Sequence, residues 1–392
     1  MPNHLSDAIM ARSFVKATRE FYNTMGRKSL LIDLVIRQDI AELFYIDRDN
    51  LVNNIIEYRR DNDNILGVKE TWYDRLVEAA RLITVIENKK YDLSILLTSS
   101  ERNCLISMLA RIPRRLGYLG YFQRLFLTDY IIRPFLGGKK QKIRPMTEYY
   151  KKLSIALGHG IYDGKRLPQP QINLPNDAKE AAMALLNQKG IEYEKPYYVC
   201  VAPGANRTEA IWPAQNYFAL VNRLQEANFN MPFIYIFGPK ESKQKEIILK
   251  KAKEHKRTIY YVDYREVTLP ILCALIKESL LTICNDSPYL HIARLTDSWA
   301  LALCGPTIPL HHSYRSKGYY KLLYPQALPE WLKTKRHRRF INNFLPIDKI
   351  TVNRAVKWST EMLNRSILFR KLDNVIREIA EKTMNRGQAN YC

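Results

Sequence analysis

A buried-strand pattern followed by a polar turn and a helix start, in residues 280–305, most constrains the fold of this chain. The apolar run Leu280-Leu-Thr-Ile-Cys284 has the composition of a strand covered on both faces, and Asn285-Asp-Ser-Pro288 follows it. A second apolar run ends at Leu303-Cys-Gly305. This order of elements is typical of parallel α/β proteins, which bind ligands at the carboxyl ends of their strands.

Asp286 and Ser287 stand where the first of these strands meets the following helix. Backbone N–H groups and the helix dipole at such a point favour an anion such as a diphosphate. The alternative is an ordinary helix start, because Asp and Ser are common N-cap residues. This segment alone does not distinguish the two interpretations.

Two segments upstream repeat the pattern. The β-rich run of residues 197–201 leads into Ala202-Pro-Gly204-Ala-Asn-Arg-Thr208, and the run of residues 233–237 leads into Gly238-Pro-Lys-Glu241. A Gly-containing turn before a helix can hold a phosphate, and an acidic residue after such a strand can accept hydrogen bonds from ribose hydroxyls. Three such turns in succession predict a ligand site within one domain.

The order of these motifs resembles glycosyltransferase family 9, the heptosyltransferases of the inner core of bacterial lipopolysaccharide. The matching pieces are Pro203-Gly-Ala-Asn with Trp212-Pro, Gly238-Pro-Lys-Glu, Asn285-Asp-Ser with His291-Ile-Ala, and Gly305-Pro-Thr307. Near the front, Leu5-Ser-Asp7 resembles the Leu-Gly-Asp loop of the family. The resemblance extends to about Leu363, and it implies an α/β architecture of two Rossmann-like domains facing a cleft, the GT-B type.

The resemblance also implies an inverting glycosyl transfer from ADP-heptose to the lipid A and Kdo inner core. Asp7 matches the position of the base that deprotonates the acceptor, and it also suits the N-cap of a helix over residues 8–19. His291 is either a donor contact or a core histidine. The expected donor-binding residues are Asn206, Arg207, Thr208, Glu241 at the ribose, Val267 at the adenine, Asp286, Ser287, His291 and Thr307.

Three residues depart from the family pattern. Ala210 stands where the family has a Lys that meets the diphosphate, Pro288 replaces a Gly that could offer an N–H, and Ser6 replaces the Gly before the candidate base. The alternative function is therefore a catalytically degenerate paralogue that binds a sugar nucleotide or glycolipid without turnover.

The charge of the chain predicts an anionic partner. Its 61 Lys and Arg residues exceed its 39 Asp and Glu residues, which gives a formal net charge of +22. Clusters at residues 111–115, 139–142 and 333–339 fit a phosphorylated glycolipid acceptor, and a solvated basic surface is the alternative. We expect no nucleic acid as partner, since no groove-reading or base-stacking motif accompanies the charge.

Length and composition predict a cytoplasmic, soluble protein. The acceptor that the resemblance implies would place it peripherally at the inner membrane face, and we expect a monomer. No apolar run approaches the ~20 residues of a membrane span, and no signal peptide precedes the first motif. The Cys residues lack metal-like pairing, and Cys200, Cys284 and Cys304 fall in or beside predicted strands, so we expect neither a disulfide nor a zinc site. No cofactor is expected beside the nucleotide-sugar donor.

The alternation of elements predicts an acceptor-binding domain at 1–190, a sugar-nucleotide domain at 191–364 and a basic amphipathic tail at 365–392. The tail either lies on a membrane or packs on its own domains. Only Met1 to Leu5 and Ser6 precede Asp7, so either a first strand lies upstream or the first sheet lacks its central strand. Strands are predicted at 30–36, 54–58, 91–97 and 115–118, and helices at 39–44, 72–88, 101–110, 146–157, 177–189 and 352–363.

Overall fold

The computed structural model of the chain describes most of its length, and every structural statement below concerns that part. The described residues are 4–26, 30–46, 48–59, 71–98, 100–132, 146–158, 167, 169–191, 197–305, 320–323, 325 and 346–389.

The first half is an α/β assembly with two small parallel sheets. β1 pairs with β2, and β4 pairs with β3 and β5, all in parallel. The elements are α1 (Leu5–Thr24), β1 (Asp33–Arg37), α2 (Gln38–Tyr45), α3 (Arg48–Leu51), β2 (Asn54–Tyr58), α4 (Trp72–Lys89), β3 (Leu93–Ile95), α5 (Glu101–Leu109), β4 (Arg114–Leu119), β5 (Asp129–Ile132), α6 (Met146–Ala156) and α7 (Asn176–Gln188).

The second half contains a six-stranded parallel sheet with the order β11-β10-β9-β6-β7-β8. The chain enters this sheet at β6 and adds β7 and β8 on one side of it. It then crosses to the other side of β6, where it adds β9, β10 and β11. The elements are β6 (Val199–Ala202), α8 (Ala214–Glu226), β7 (Phe233–Phe237), α9 (Ser242–Glu254), β8 (Tyr260–Asp263), α10 (Leu269–Glu278), β9 (Leu281–Asn285), α11 (Pro288–Leu295), β10 (Ala300–Leu303), β11 (Tyr320–Leu323) and α12 (Val352–Ala389).

The predicted α/β class with parallel sheets is confirmed. The strands and helices predicted for the first half occur, with bounds that differ by at most three residues except at the end of α1, which was predicted at residue 19 and lies at Thr24. The short α3 and β5 were missed. The last helix was predicted wrongly, because α12 continues without a break through residue 364 where a separate tail was expected. The division into domains at 190 and 364 stays a prediction.

Contacts of α1 and α2 join the first half to the second. Within the first half, Arg12 of α1 is buried, and its guanidinium fixes the helix by donating from Nε to the Gln171 carbonyl at 2.9 Å and from Nη1 to the Leu43 carbonyl at 3.1 Å. Glu42 of α2 accepts the Leu269 N–H at 3.0 Å and so caps the start of α10, where the Thr268 side chain makes no cap. Because α1 also packs on α11, the two halves share one core cluster.

The two small sheets are linked by side chains at their amino ends. The Tyr91 hydroxyl, which precedes β3, donates to the Asp33 carboxylate at the start of β1. Among the described residues β1 pairs only with β2, and β3 pairs only with β4. The expectation of a further strand before α1 stays a prediction.

Candidate functional site

The strand order of the six-stranded sheet reverses between β6 and β9, and one side chain links the carboxyl ends of these two strands. Asn285, the last residue of β9, donates from Nδ2 to the carbonyls of Pro203 at 2.7 Å and Gly204 at 3.2 Å. Its Oδ1 accepts the Trp212 N–H at 3.1 Å and the Tyr217 hydroxyl at 2.9 Å. All four bonds hold the turn after β6 against β9, at the position where open α/β sheets bind ligands.

Glu241 is buried beneath two glycine turns at the same edge. A Cβ on Gly204 would lie 1.7 Å from Glu241 Oε1, and one on Gly238 would lie 3.0 Å from it, so the carboxyl group occupies the space that these glycines leave open. Glu241 Oε2 has no hydrogen-bond partner within the described part of the chain. A buried acceptor of this kind can take a hydrogen bond from a ligand hydroxyl.

Burial changes the protonation of Glu241. It raises the pKa of the carboxyl group to about 7, and a hydrogen bond from the Gly238 backbone opposes the shift. Burial, and then the Glu241 carboxylate, raise the pKa of the Tyr289 hydroxyl, which lies 3.1 Å from the Cβ position on Gly238. Glu241 can therefore exchange its proton near neutral pH.

The turn after β6 presents the predicted residues Asn206, Arg207 and Thr208 to solvent. Arg207 Nε lies 3.9 Å from Glu209 Oε1, and both side chains are about half exposed, so this pair is weak. Val267 follows the end of β8 and lies partly buried at the same edge of the sheet. The structure thus brings these residues to one edge with Glu241.

Asp286 and Ser287 connect β9 to α11, as predicted. The Asp286 N–H donates to the Leu303 carbonyl at 3.1 Å, and the Asp286 charge contributes to a raised pKa of the Cys284 and Cys304 thiols, after burial. Ser287 is the N-cap residue of α11, with φ −146° and no side-chain cap bond. Its place at a helix start fits both interpretations of the sequence, and diphosphate binding stays a prediction.

Pro288, which stands where the family pattern has glycine, fits the local structure of this chain. Pro288 is the first residue of α11, where the ring imposes a φ that a helix needs anyway. Ser6 lies inside α1 and is not among the described non-glycine residues with positive φ, so its side chain causes no backbone strain there. The effect of Ser6 and Pro288 on binding and turnover stays a prediction.

Ala210, the third departure, is buried at the end of a short 3-10 turn, Thr208–Ala210. Next to it, Trp212 is fully buried and its Nε1 donates to the Ile350 carbonyl at 2.8 Å. Residue 210 is therefore buried beside a buried tryptophan, and Ala210 supplies no cation at the edge of the sheet.

His291 lies one turn into α11 and is 2% exposed. This burial agrees with the core-histidine alternative, and its contact with a donor stays a prediction. Thr307 lies outside the described residues, as do the basic clusters at 139–142 and 333–339.

The position of Asp7 differs from the expected loop and from the expected N-cap. α1 begins at Leu5 with His4 as N-cap, so Asp7 lies in the first turn of the helix. A carboxylate there is stabilised by the helix dipole. Because α1 packs on α11, the helix of Asp7 touches the helix that begins after Ser287.

Two features at strand ends, one in each half of the chain, were missed in the sequence. Arg37 is buried at the end of β1 and forms an ion pair with Asp39 through two hydrogen bonds. Their place directly after a strand was the available signal. Asn285 was predicted to belong to the ligand-binding turn, although its side chain makes its hydrogen bonds to other residues of the protein.

The described part of the chain contains no group of three or more His, Cys, Asp or Glu residues placed to hold a metal ion. Its helices include none with the length and apolarity that a membrane span requires. The five Cys residues in this part are free and buried.

Sequence comparison identifies the relatives of the chain. The profile described as glycosyltransferase family 9 (heptosyltransferase) matches residues 79–330. Lipopolysaccharide heptosyltransferase 2 of Salmonella typhimurium is 27% identical over 258 residues, which cover 62% of this chain and 71% of that protein. The Escherichia coli protein of the same name is 26% identical over the same shares.

Solved structures show the same fold. A glycosyl transferase family 9 structure from Veillonella parvula superposes with a TM-score of 0.71 at 17% identity, covering 93% of this chain and 96% of that chain. The E. coli ADP-heptose lipopolysaccharide heptosyltransferase II gives a TM-score of 0.67 at 19% identity, covering 93% and 97%. These neighbours place the chain in the GT-B fold.

Proposed function

Because this chain belongs to glycosyltransferase family 9, the heptosyltransferase family, we propose that it transfers a heptose from ADP-heptose to the lipid A and Kdo inner core of lipopolysaccharide. The two curated relatives carry the name lipopolysaccharide heptosyltransferase 2, and one neighbouring structure is an ADP-heptose enzyme. The donor is a substrate, and the proposal includes no cofactor.

The observation that carries the proposal is the buried Glu241 carboxyl group, which lies near the point where the strand order of the sheet reverses. Its unbonded Oε2 suits the ribose hydroxyls of a nucleotide, and Val267 at the adjacent strand end suits the adenine. The exposed Asn206, Arg207 and Thr208, with the α11 start at Ser287, suit the diphosphate.

In the proposed mechanism Asp7 removes the proton of the acceptor hydroxyl as that oxygen attacks the anomeric carbon. The ADP leaves from the opposite face of the sugar, so the configuration inverts. Charge developing on the diphosphate is met by the N–H groups at the start of α11 and by Arg207. His291 and Thr307 complete the proposed donor contacts.

Release of ADP tests this function. Wild-type protein with ADP-heptose and a lipid A and Kdo acceptor should release ADP, and Asp7→Asn should lower the rate by about a hundredfold or more because the general base is lost. The matched control Asp177→Asn changes an exposed carboxylate in the first turn of α7 and should leave the rate unchanged. Equal rates for Asp7→Asn and wild type would exclude Asp7 as the base.

A second candidate function is a paralogue that binds the donor without turnover, and Ala210 is the observation that favours it. Residue 210 lacks the ammonium group that the family pattern has at this position, which would cost transition-state stabilisation of the leaving group. Calorimetry with ADP-heptose distinguishes the two, since binding without ADP release supports the paralogue. Turnover that rises in Ala210→Lys would instead show an impaired enzyme.

The proposal places the protein in the cytoplasm, as a monomer acting at the inner membrane face. The net charge of +22 supports an anionic glycolipid there. A nucleic-acid partner would bind duplex or single strands with a steep dependence on salt, and we expect no such binding.

A further inference from the structure

The turn between β4 and β5, residues 120–128, exposes three large apolar side chains close together. Tyr121 is 88% exposed, Phe122 60% and Leu125 72%. Side chains of this size normally bury most of their area in a folded protein, so their exposure as a group marks an interaction surface.

The turn is anchored beneath these side chains. Gln123 and Leu127 are buried, and a Cβ on Gly120 would lie 1.8 Å from Gln123 Oε1, so the Gln123 side chain folds back over the glycine. Arg115 Nε donates to the Phe126 carbonyl at 2.6 Å. The fold therefore holds Tyr121, Phe122 and Leu125 outward from a fixed base.

Ile132 extends the exposed surface to the next strand. It pairs in register with Leu119, the last residue of β4, and its side chain is 61% exposed. Tyr121, Phe122, Leu125 and Ile132, here called the aromatic turn, lie at the carboxyl edge of the three-stranded sheet. Parallel α/β proteins bind their ligands at this edge.

The charge of the turn itself is positive. Arg124 is exposed inside the turn itself, and residues 117–128 contain no Asp or Glu. A surface that combines apolar side chains with positive charge complements anionic lipid.

Two other groups of exposed apolar side chains have carboxylates among them. The group on α4 that includes Trp72 and Tyr73 has Asp74 and Glu78 beside it. The group on α12 that includes Leu368 and Leu372 lies among charges of both signs, with Asp373 and Glu378 close in sequence to Lys371 and Arg377. Carboxylates beside an apolar patch repel an anionic surface.

We propose that the aromatic turn docks the protein on an anionic lipid bilayer. Tyr121 and Phe122 enter the headgroup region, where aromatic rings are favoured, and Leu125 and Ile132 contact the acyl boundary. Arg124 meets the lipid phosphates. The inference rests on the proposed function only for its purpose, which is to hold the enzyme where a glycolipid acceptor lies.

Co-sedimentation of the full chain with lipid vesicles tests the proposal. Wild-type protein should bind vesicles of equal parts phosphatidylcholine and phosphatidylglycerol, bind phosphatidylcholine vesicles weakly, and detach as salt is raised. The combined variant Tyr121→Ser, Phe122→Ser and Leu125→Ser should bind the mixed vesicles about tenfold or more weakly. Because these side chains are exposed, the variant should keep the wild-type unfolding curve.

The matched control changes Leu368, Leu372 and Ile376 of α12 to Ser and should bind the mixed vesicles as the wild type does. Arg124→Glu, which keeps the apolar side chains, should weaken binding to the mixed vesicles alone. Wild-type binding by the aromatic-turn variant, or loss of binding only in the α12 variant, would overturn the proposal.

Turnover with a water-soluble, acyl-free acceptor separates this inference from the proposed function. The aromatic-turn variant should release ADP as fast as the wild type with that acceptor and more slowly with acceptor embedded in vesicles. If the wild type gives no ADP with either acceptor, the proposed function fails while the vesicle result still decides the docking surface.

Discussion

At the scale of single residues, Glu241 makes the stability of the protein depend on pH. The folded-state pKa of about 7 lies above the ordinary value of 4.5, so between these values the folded protein binds more protons than the unfolded chain. The contribution is fully present below the unfolded pKa and is lost as the pH rises through the folded pKa. It amounts to about 3 kcal/mol in the free energy of unfolding.

Glu241→Gln should remove this dependence, because the amide stays neutral. Urea unfolding at about pH 5 and about pH 8 measures it: the difference between the two free energies should shrink by about 3 kcal/mol in the variant. Glu226→Gln, an exposed glutamate at the end of α8, is the control and should keep the wild-type difference. An unchanged difference in Glu241→Gln would show that the carboxyl group ionises normally.

Asn285 should be among the most costly residues to truncate. Asn285→Ala removes the partner of the Trp212 N–H, the Tyr217 hydroxyl and two carbonyls, all of them buried. The free energy of unfolding should fall by roughly 3 kcal/mol or more in urea titration. Asn364→Ala, on the exposed face of α12, should change it by less than about 0.5 kcal/mol. A small effect at Asn285 would mean that water replaces its bonds.

At the scale of elements, α11 shows how a departure from the family pattern can suit the local structure. Pro288→Gly should lower the free energy of unfolding by about 0.5–1 kcal/mol, because proline at the first helical position restricts the unfolded chain. The variant gains an N–H at the proposed diphosphate site, so its affinity for ADP in calorimetry should rise. Higher stability in Pro288→Gly would contradict the fit of proline at this position.

At the scale of the whole molecule, α12 divides into an anchored part and an exposed part. Ser366 Oγ donates to the Leu280 carbonyl at 2.7 Å, and Arg370 Nη2 donates to the carbonyls of Glu278 at 2.6 Å and Ser279 at 2.8 Å. Beyond these bonds Leu372, Val375 and Ile376 are exposed. The stretch up to Arg370 therefore packs on the rest of the chain, and binding of the exposed part to a membrane stays a prediction.

Truncation separates the two parts of α12. A chain ending at residue 371 should keep the thermal midpoint of the full chain. The reason is that residues 372–378, which it lacks, are mostly exposed. A chain ending at residue 364 loses the anchoring bonds and should melt about 4 °C lower or more. Equal midpoints would show that α12 adds no stability after Leu363.

Local patterns determined most of the elements and the positions of the strand-end turns. Largely apolar runs such as 280–284, followed by polar turns, indicated buried strands, and the turns after β6, β7 and β9 followed from them. The start of α1 and the length of α12 were not predictable in this way, because helix ends depend on what the neighbouring turn packs against.

The sequence by itself determined the α/β class, the parallel strands, the family motifs and the net charge, since these depend on local composition and order. Only the tertiary structure decided which groups meet. It placed Glu241 beneath Gly204 and Gly238, gave the Asn285 side chain to the protein, and left Tyr121 and Phe122 exposed. The physical reason is that burial and hydrogen-bond partners are set by residues distant in the chain, and no local pattern records them.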